Sequence, residues 1–181
     1  MMKKAIFILS DIYDQTIYRL NGNFNFVVKQ IIDNRVQGIA YRKIDKRSCS
    51  KEVNYTLKNS YIKNVNSNLF YQSTVTYLSS ILKECQALYA FIKGTFLIPM
   101  LYKEGQRISN DIDILIDEKD IGELQSILLK NGFRQGTFNN DLEFFPADRS
   151  RILMSRMNYG ETVPWVKLID GRPVKVDINF S

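Results

Sequence analysis

Apolar and polar positions follow a helical period through the first half of this chain and a shorter period through the second. Ile6, Ile8, Ile12, Tyr13, Ile17 and Leu20 form a helical stripe, and Asn21-Gly22-Asn23 breaks it. Phe24 to Arg35 resumes with Phe26, Val27, Ile31 and Ile32, which predicts a second helix that Gly38-Ile39-Ala40-Tyr41 continues after a break. Residues 42–53 are polar and basic and read as a loop. The longest helical pattern runs from about Val53 to Gln86 through Leu57, Tyr61, Val65, Leu69, Val75, Leu78, Ile81, Leu82 and Cys85. Spacings of three and four recur there, so one face is apolar and should pack on the sheet that follows.

From Leu88 the pattern changes. Leu88 to Ile92 is short, apolar and bounded by Gly94, which predicts a buried strand. Thr95 to Tyr102 reads as a short helix. Pro99 removes a helical donor, which moves the predicted start toward Ile98 and leaves residues 94–97 as a looser loop. Asp111 to Ile116 is the second strand. Glu118 to Asn131 is an amphipathic helix with Ile121, Leu124, Ile127 and Leu128 inward and Gly132 as its stop. Leu142 to Phe145, Arg151 to Met157, Val163 to Ile169 and Pro173 to Phe180 read as strands, with Pro164 and Pro173 marking edges or strand starts. Asp170-Gly171 is a two-residue hairpin turn that pairs the Trp165 strand with the Asp177 strand. The expected class is α+β, with a helical N-terminal region (residues 1–86) packed on a small mixed-sheet core (residues 87–181).

Length and charge narrow the setting. The 181 residues suffice for one domain or two small ones. The net charge of +6 is uneven: residues 1–86 hold 13 Lys and Arg against 6 Asp and Glu, and residues 87–181 hold 12 against 13. The excess clusters at Arg42, Lys43, Lys46, Arg47 and Lys51, either a solvated loop or a flank for a polyanion. Cys49 and Cys85 match no zinc spacing, and free thiols are expected. MMKKAIFILS is too short in apolar residues for a secretory core, and no run nears the roughly 18 of a membrane helix, so a soluble cytoplasmic protein is expected. Tyr55, Tyr61, Tyr71 and Tyr77 suit helix packing better than a base-stacking platform.

The chemistry concentrates between Phe91 and Asp117. Alternation on a strand puts Asp111 and Asp113 on one face, where two carboxylates repel unless a cation joins them. Such oxygen pairs suit Mg²⁺, which binds one or two carboxylates together with substrate phosphates. Gly94 permits a tight bend at a helix start, where free N–H groups attract phosphate, although a plain turn needs the same glycine. Thr95 adds a hydroxyl. Lys93 and Arg107 are candidates to neutralise phosphate, with ion pairing to the Asp pair as the alternative for Arg107. Asn110 either hydrogen-bonds substrate or caps the turn.

Ile92-Lys93-Gly94, Gly105-Gln106-Arg107 and Asn110-Asp111-Ile112-Asp113-Ile114-Leu115-Ile116 together resemble the core of the bacterial uncharacterised nucleotidyltransferases, a group within the DNA polymerase β-like superfamily. The resemblance covers most of the chain. It implies a third carboxylate on a later strand, for which Asp177 is well placed, with an exposed edge residue as the alternative. It also implies in-line attack on the α-phosphate of an NTP with release of pyrophosphate, and two Mg²⁺ ions, or Mn²⁺, held by Asp111, Asp113 and Asp177. The implied nucleotide contacts are Lys93, Gly94, Thr95, Arg107 and Asn110. Two positions depart from the family pattern: Asn110 replaces a frequent Ser, and Asn179 a frequent His, in a chain with no His.

The acceptor stays open among a small molecule, a protein and tRNA. Toxin-type nucleotidyltransferases that modify tRNA share the Lys-Gly-Thr and Arg-x-x-x-Asp-x-Asp pattern, and the basic segment from Arg42 to Lys51 suits that alternative. A non-catalytic nucleotide- or protein-binding module is the other. The resemblance further leads one to expect more helix after Asp177, or a partner chain completing that side.

Overall fold

The computed structural model describes residues 24–45, 47 and 49–180, with side chains from Val28 onward. The stripe from Ile6 to Leu20 and Lys46 of the basic cluster lie outside the described residues. The fold is α+β, with helices and one six-stranded mixed sheet. It divides into two compact units: residues up to Phe70 together with Leu101–Ile108, and Tyr71–Met100 together with residues 109–181.

The first unit is helical. Helix α1 (Phe24–Asp33) and helix α2 (Gln37–Lys43) are joined through Arg35, whose φ of 56° lies in the left-handed region. Ile31, Val36, Ile39, Ala40, Ile44, Val53 and Leu57 form its core, and Tyr102 packs against it. Helix α3 (Lys51–Ile81) begins here and crosses into the second unit. Its buried line runs through Val53, Leu57, Asn64, Asn68, Thr74 and Leu78, not through the expected Leu69, which is 52% exposed.

Two buried asparagines interrupt that stripe for a reason. Asn64 Nδ2 donates to the Gly105 carbonyl, Asn68 Nδ2 donates to the Arg107 carbonyl, and Gly105 N–H donates to Asn68 Oδ1. Their amides satisfy backbone groups of the buried Gly105 and of Arg107 that apolar residues would leave unpaired. The helix as a whole therefore serves two cores, and only its part from Tyr71 onward belongs to the unit that contains the sheet.

The second unit carries strands β1 (Tyr89–Ile92), β2 (Ile112–Ile116), β3 (Arg134–Phe138), β4 (Phe144–Pro146), β5 (Trp165–Ile169) and β6 (Arg172–Phe180), in the order β1-β2-β6-β5-β3-β4. Neighbours run antiparallel except β2 and β6, which are parallel and place Asp113 opposite Asp177. Ile112, Ile114, Ile116, Val174, Val176 and Ile178 are buried on one face, against which helix α5 (Ile121–Lys130) offers Ile121, Leu124 and Leu128. Glu123 on that helix accepts the N–H groups of Gln86 and Ala87, fixing the chain's entry into β1. The β5–β6 hairpin forms as expected: Asp170 (φ 48°) and Gly171 (φ 70°) both take the left-handed conformation of the turn that suits twisted strands.

Three expectations change. Strand β1 is an edge strand, not a buried one, and Leu88 just before it is 92% exposed. A short apolar run carries no information on how many neighbours it will find. Helix α4 (Lys93–Leu101) starts at Lys93, so residues 94–97 are helical and Pro99 is accommodated inside the helix. Finally, Arg151–Met157 is not a strand but part of helix α6 (Arg149–Tyr159). Asp148 caps it by accepting the Arg151 N–H, and Gly160 closes it in the left-handed conformation. No residue of α6 is buried, so no core-facing periodicity was there to be read.

Candidate active site

Strand β2 turns Asp113 and Leu115 to the face opposite the isoleucines, and β6 turns Lys175, Asp177 and Asn179 the same way, because side chains alternate along each strand. Both strands are interior, so the carboxylates stand on the middle of a sheet: Asp113 is 4% exposed and Asp177 7%. Buried acids at these exposures need charge partners. Lys93 Nζ lies 2.8 Å from Asp113 Oδ1 and 3.0 Å from Asn179 Oδ1. Lys175 Nζ lies 2.7 Å from Asp177 Oδ2 and 3.8 Å from Asp111 Oδ2. Two ammonium groups thus offset most of the charge on a row of three carboxylates.

Lys93 is placed by backbone strain. It opens α4 with φ 49°, a conformation rare for a side chain with Cβ. Gly94 follows without a positive φ, and its requirement is space: a Cβ there would stand 2.8 Å from Ser109 Oγ. Ser109 in turn donates toward Asp111 Oδ1 at 3.1 Å and toward the Asp111 carbonyl at 3.2 Å.

Thr95 ties the helix to the strand. Asp113 N–H donates to Thr95 Oγ1 at 3.0 Å, and Tyr71 Oη lies 2.8 Å from the same oxygen. Tyr71 also donates to the Asp111 carbonyl at 3.0 Å. A carbonyl only accepts, so the Tyr71 proton goes there and the Thr95 proton goes to Tyr71. The chain of donors runs from Asp113 through Thr95 and Tyr71 to Asp111, and it braces both ends of the segment that carries the acids. The Thr95 hydroxyl is committed to this chain. Burial raises the Tyr71 pKa, and the charges of Asp111 and Asp113 raise it further, so the phenol stays a donor. Tyr71→Phe would leave the Asp111 carbonyl with only its longer bond from Ser109, and urea unfolding should show a loss of about 0.5–1.5 kcal/mol.

The charges on the row are unequal in character. Hydrogen bonding to Asp113 raises the Lys93 pKa, so that ammonium stays charged. Burial works against charge on Lys175, but its bond to Asp177 and the charges of Asp177 and Asp111 prevail and raise its pKa. Burial raises the Asp177 pKa despite Lys175, and Asp111 and Asp113 add to the rise. A carboxyl whose folded pKa is raised costs stability only where it is ionised. The cost is absent below the ordinary carboxylate range near 4, grows as pH rises toward the raised value, and is full above it. Asp177→Asn should therefore raise Tm at pH 7, with the difference vanishing at about pH 3. Scanning calorimetry across that range checks both statements.

The donor set suits a hard divalent cation. Carboxylate oxygens from adjacent strands face one another, and two ammonium groups already occupy the cation's electrostatic role. Among the described residues, no three His, Cys, Asp or Glu side chains converge closely enough to hold an ion, because each acid points to a lysine.

Of the residues expected from sequence, Lys93, Gly94, Thr95, Asp111, Asp113 and Asp177 come together in the second unit. Asn110 is exposed beside them and lines a cavity with Lys175. Arg107 belongs to the first unit, where its carbonyl accepts from Asn68 and its guanidinium lies 5.7 Å from the Tyr102 ring centroid. Sequence reasoning missed Lys175, Ser109 and Tyr71. Lys175 carried a readable signal, since it lies two residues from Asp177 on one strand and so shares its face. Tyr71 lay in a long helix with three other tyrosines and carried none.

A family model described as uncharacterised nucleotidyltransferase matches residues 22–180 of the chain. No curated protein matches it.

Proposed function

The chain belongs to the uncharacterised nucleotidyltransferase family, and from that premise we infer that it moves a nucleoside monophosphate from an NTP to an acceptor hydroxyl or phosphate, releasing pyrophosphate. The observation that carries this reading is the row of Asp111, Asp113 and Asp177 across adjacent strands beside the N-terminus of α4. These three residues would hold Mg²⁺ or Mn²⁺, which when bound supplies positive charge to the triphosphate and the reacting oxygens. The first-turn N–H groups of α4, from Gly94 onward, offer the phosphates free donors, and the small Gly94 lets them approach. Lys93, which bonds Asp113, would offer its ammonium to a phosphate oxygen. Lys175 holds Asp177 and Asp111 in place from the other side. Asp177 would also help to draw the proton from the attacking hydroxyl.

A thermal-shift titration with each NTP, with and without Mg²⁺, tests the reading on wild type and Asp111→Asn. Ligand at about 100 times its Kd adds roughly 2.7 kcal/mol of stability. The expected result is a Mg²⁺-dependent rise that the substitution removes. Absence of a rise with any NTP overturns it.

A further inference from the structure

A cavity of about 420 Å³ opens in the second unit at the end of the carboxylate row. Thr137 and Phe138 at the end of β3 and Asn140 and Leu142 of the β3–β4 connection line it, together with Val166 of β5. Asn110 and Lys175 complete the side nearest the acids. Lys175 belongs to both places, because the same ammonium binds Asp177 and Asp111. A molecule in the cavity therefore meets the ammonium that pairs with the carboxylates.

Strand order sets its direction. β1 and the start of α4 lie on the β2 side of the row, whereas β5, β3 and β4 lie on the β6 side. If the triphosphate sits against α4, as proposed above, the cavity lies at the opposite end, next to Asp177. In-line displacement requires the attacking oxygen opposite the departing pyrophosphate. The cavity stands where the attacking group must be.

Its walls select among acceptors. The volume suits a small molecule. The lining holds no carboxylate, and its one ammonium is already paired with Asp177 and Asp111, so neither a polycation nor a polyanion finds a free counter-charge there. The Asn110 and Asn140 amides are exposed, and neither side chain bonds another described residue. Asn139, by contrast, uses its Oδ1 to accept the N–H groups of Asp141 and Glu143 and so braces the turn. Neutral amides and the Thr137 hydroxyl facing Phe138, Leu142 and Val166 match a ring with hydroxyl edges and apolar faces.

We propose that this cavity is the acceptor site and takes a neutral polyhydroxylated ring of the sugar or cyclitol class; the assignment rests on the nucleotidyl-transfer reading above. The acceptor oxygen forms a bond to the α-phosphorus as the α–β phosphoanhydride bond breaks. The electron pair leaves with pyrophosphate, and the hydroxyl proton is released to solvent.

Saturation-transfer NMR on the full chain tests it, with methyl α-D-glucopyranoside and myo-inositol as probes and adenosine and kanamycin as challengers. At least one polyol should give a signal in wild type. Asn140→Ala, which removes one hydrogen bond, should weaken it by about fivefold. Thr137→Trp, which fills the cavity, should abolish it. Both variants should keep the wild-type thermal shift with NTP and Mg²⁺. No signal from either polyol, a signal that survives Thr137→Trp, or displacement of the polyol by adenosine or kanamycin overturns the assignment. An NTP shift without polyol binding sinks this assignment alone, whereas polyol binding without any NTP shift sinks the nucleotidyl-transfer reading and the acceptor role with it.

Discussion

Asp113→Asn should reduce NTP-dependent pyrophosphate release by at least about 10²–10³-fold, the range seen when one preorganised electrostatic partner is removed from a reacting site. This acid is the least exposed of the row and is held from several sides. Its backbone N–H is tied to Thr95, its carboxylate faces Lys93 at 2.8 Å, and the Asn179 amide reaches the same oxygen at 3.5 Å. Asparagine keeps the volume and the backbone tie but removes the charge. Lys93 then keeps only Asn179 as its partner on the row. Circular dichroism should show an unchanged fold, so that lost turnover reports chemistry. Turnover within tenfold of wild type would remove Asp113 from the mechanism.

The largest expected stability effect lies in the first unit, at Gly38. Alanine normally favours a helix over glycine by about 1 kcal/mol. Here an ideal Cβ would stand 1.8 Å from the Gly105 carbonyl oxygen and 2.9 Å from Gln106 Cα. These are backbone atoms, and the loop that carries them cannot retreat. Asn64 and Asn68 hold Gly105 by its carbonyl and its N–H. Gly105 itself has φ 76°, with Tyr61 and Val65 against the place a side chain would take. Overpacking should win, and Gly38→Ala should cost about 3 kcal/mol in denaturant unfolding followed by circular dichroism. A variant as stable as wild type would mean that the approach of α2 to this loop is looser than described.

Both effects rest on pairs that are distant in sequence, and this separates what could be read early from what could not. The strand after Asp111, the Asp170-Gly171 hairpin and the family likeness were legible because each depends on neighbours within a few residues, whereas the start of α4 at Lys93 was not, since Pro99 argued for a later one. Strand period and turn chemistry are local properties. The helix at Arg149–Tyr159 was misread for the converse reason. It buries nothing, so its capping by Asp148 and Gly160 was the only clue.

The sequence by itself determined the α+β class, the family and the acids around which a site could form. Tertiary structure decided what those acids meet. The parallel pairing of β2 with β6 sets Asp113 beside Asp177, and α3 delivers Tyr71 to the Thr95 hydroxyl. The same pairing decides that Lys175 closes the row and that a cavity adjoins it. Asn64 and Asn68 became interior residues because a loop nearly forty residues away needed their amides. No periodicity encodes such partners, because a buried charge or amide is stabilised only by the group it finally faces.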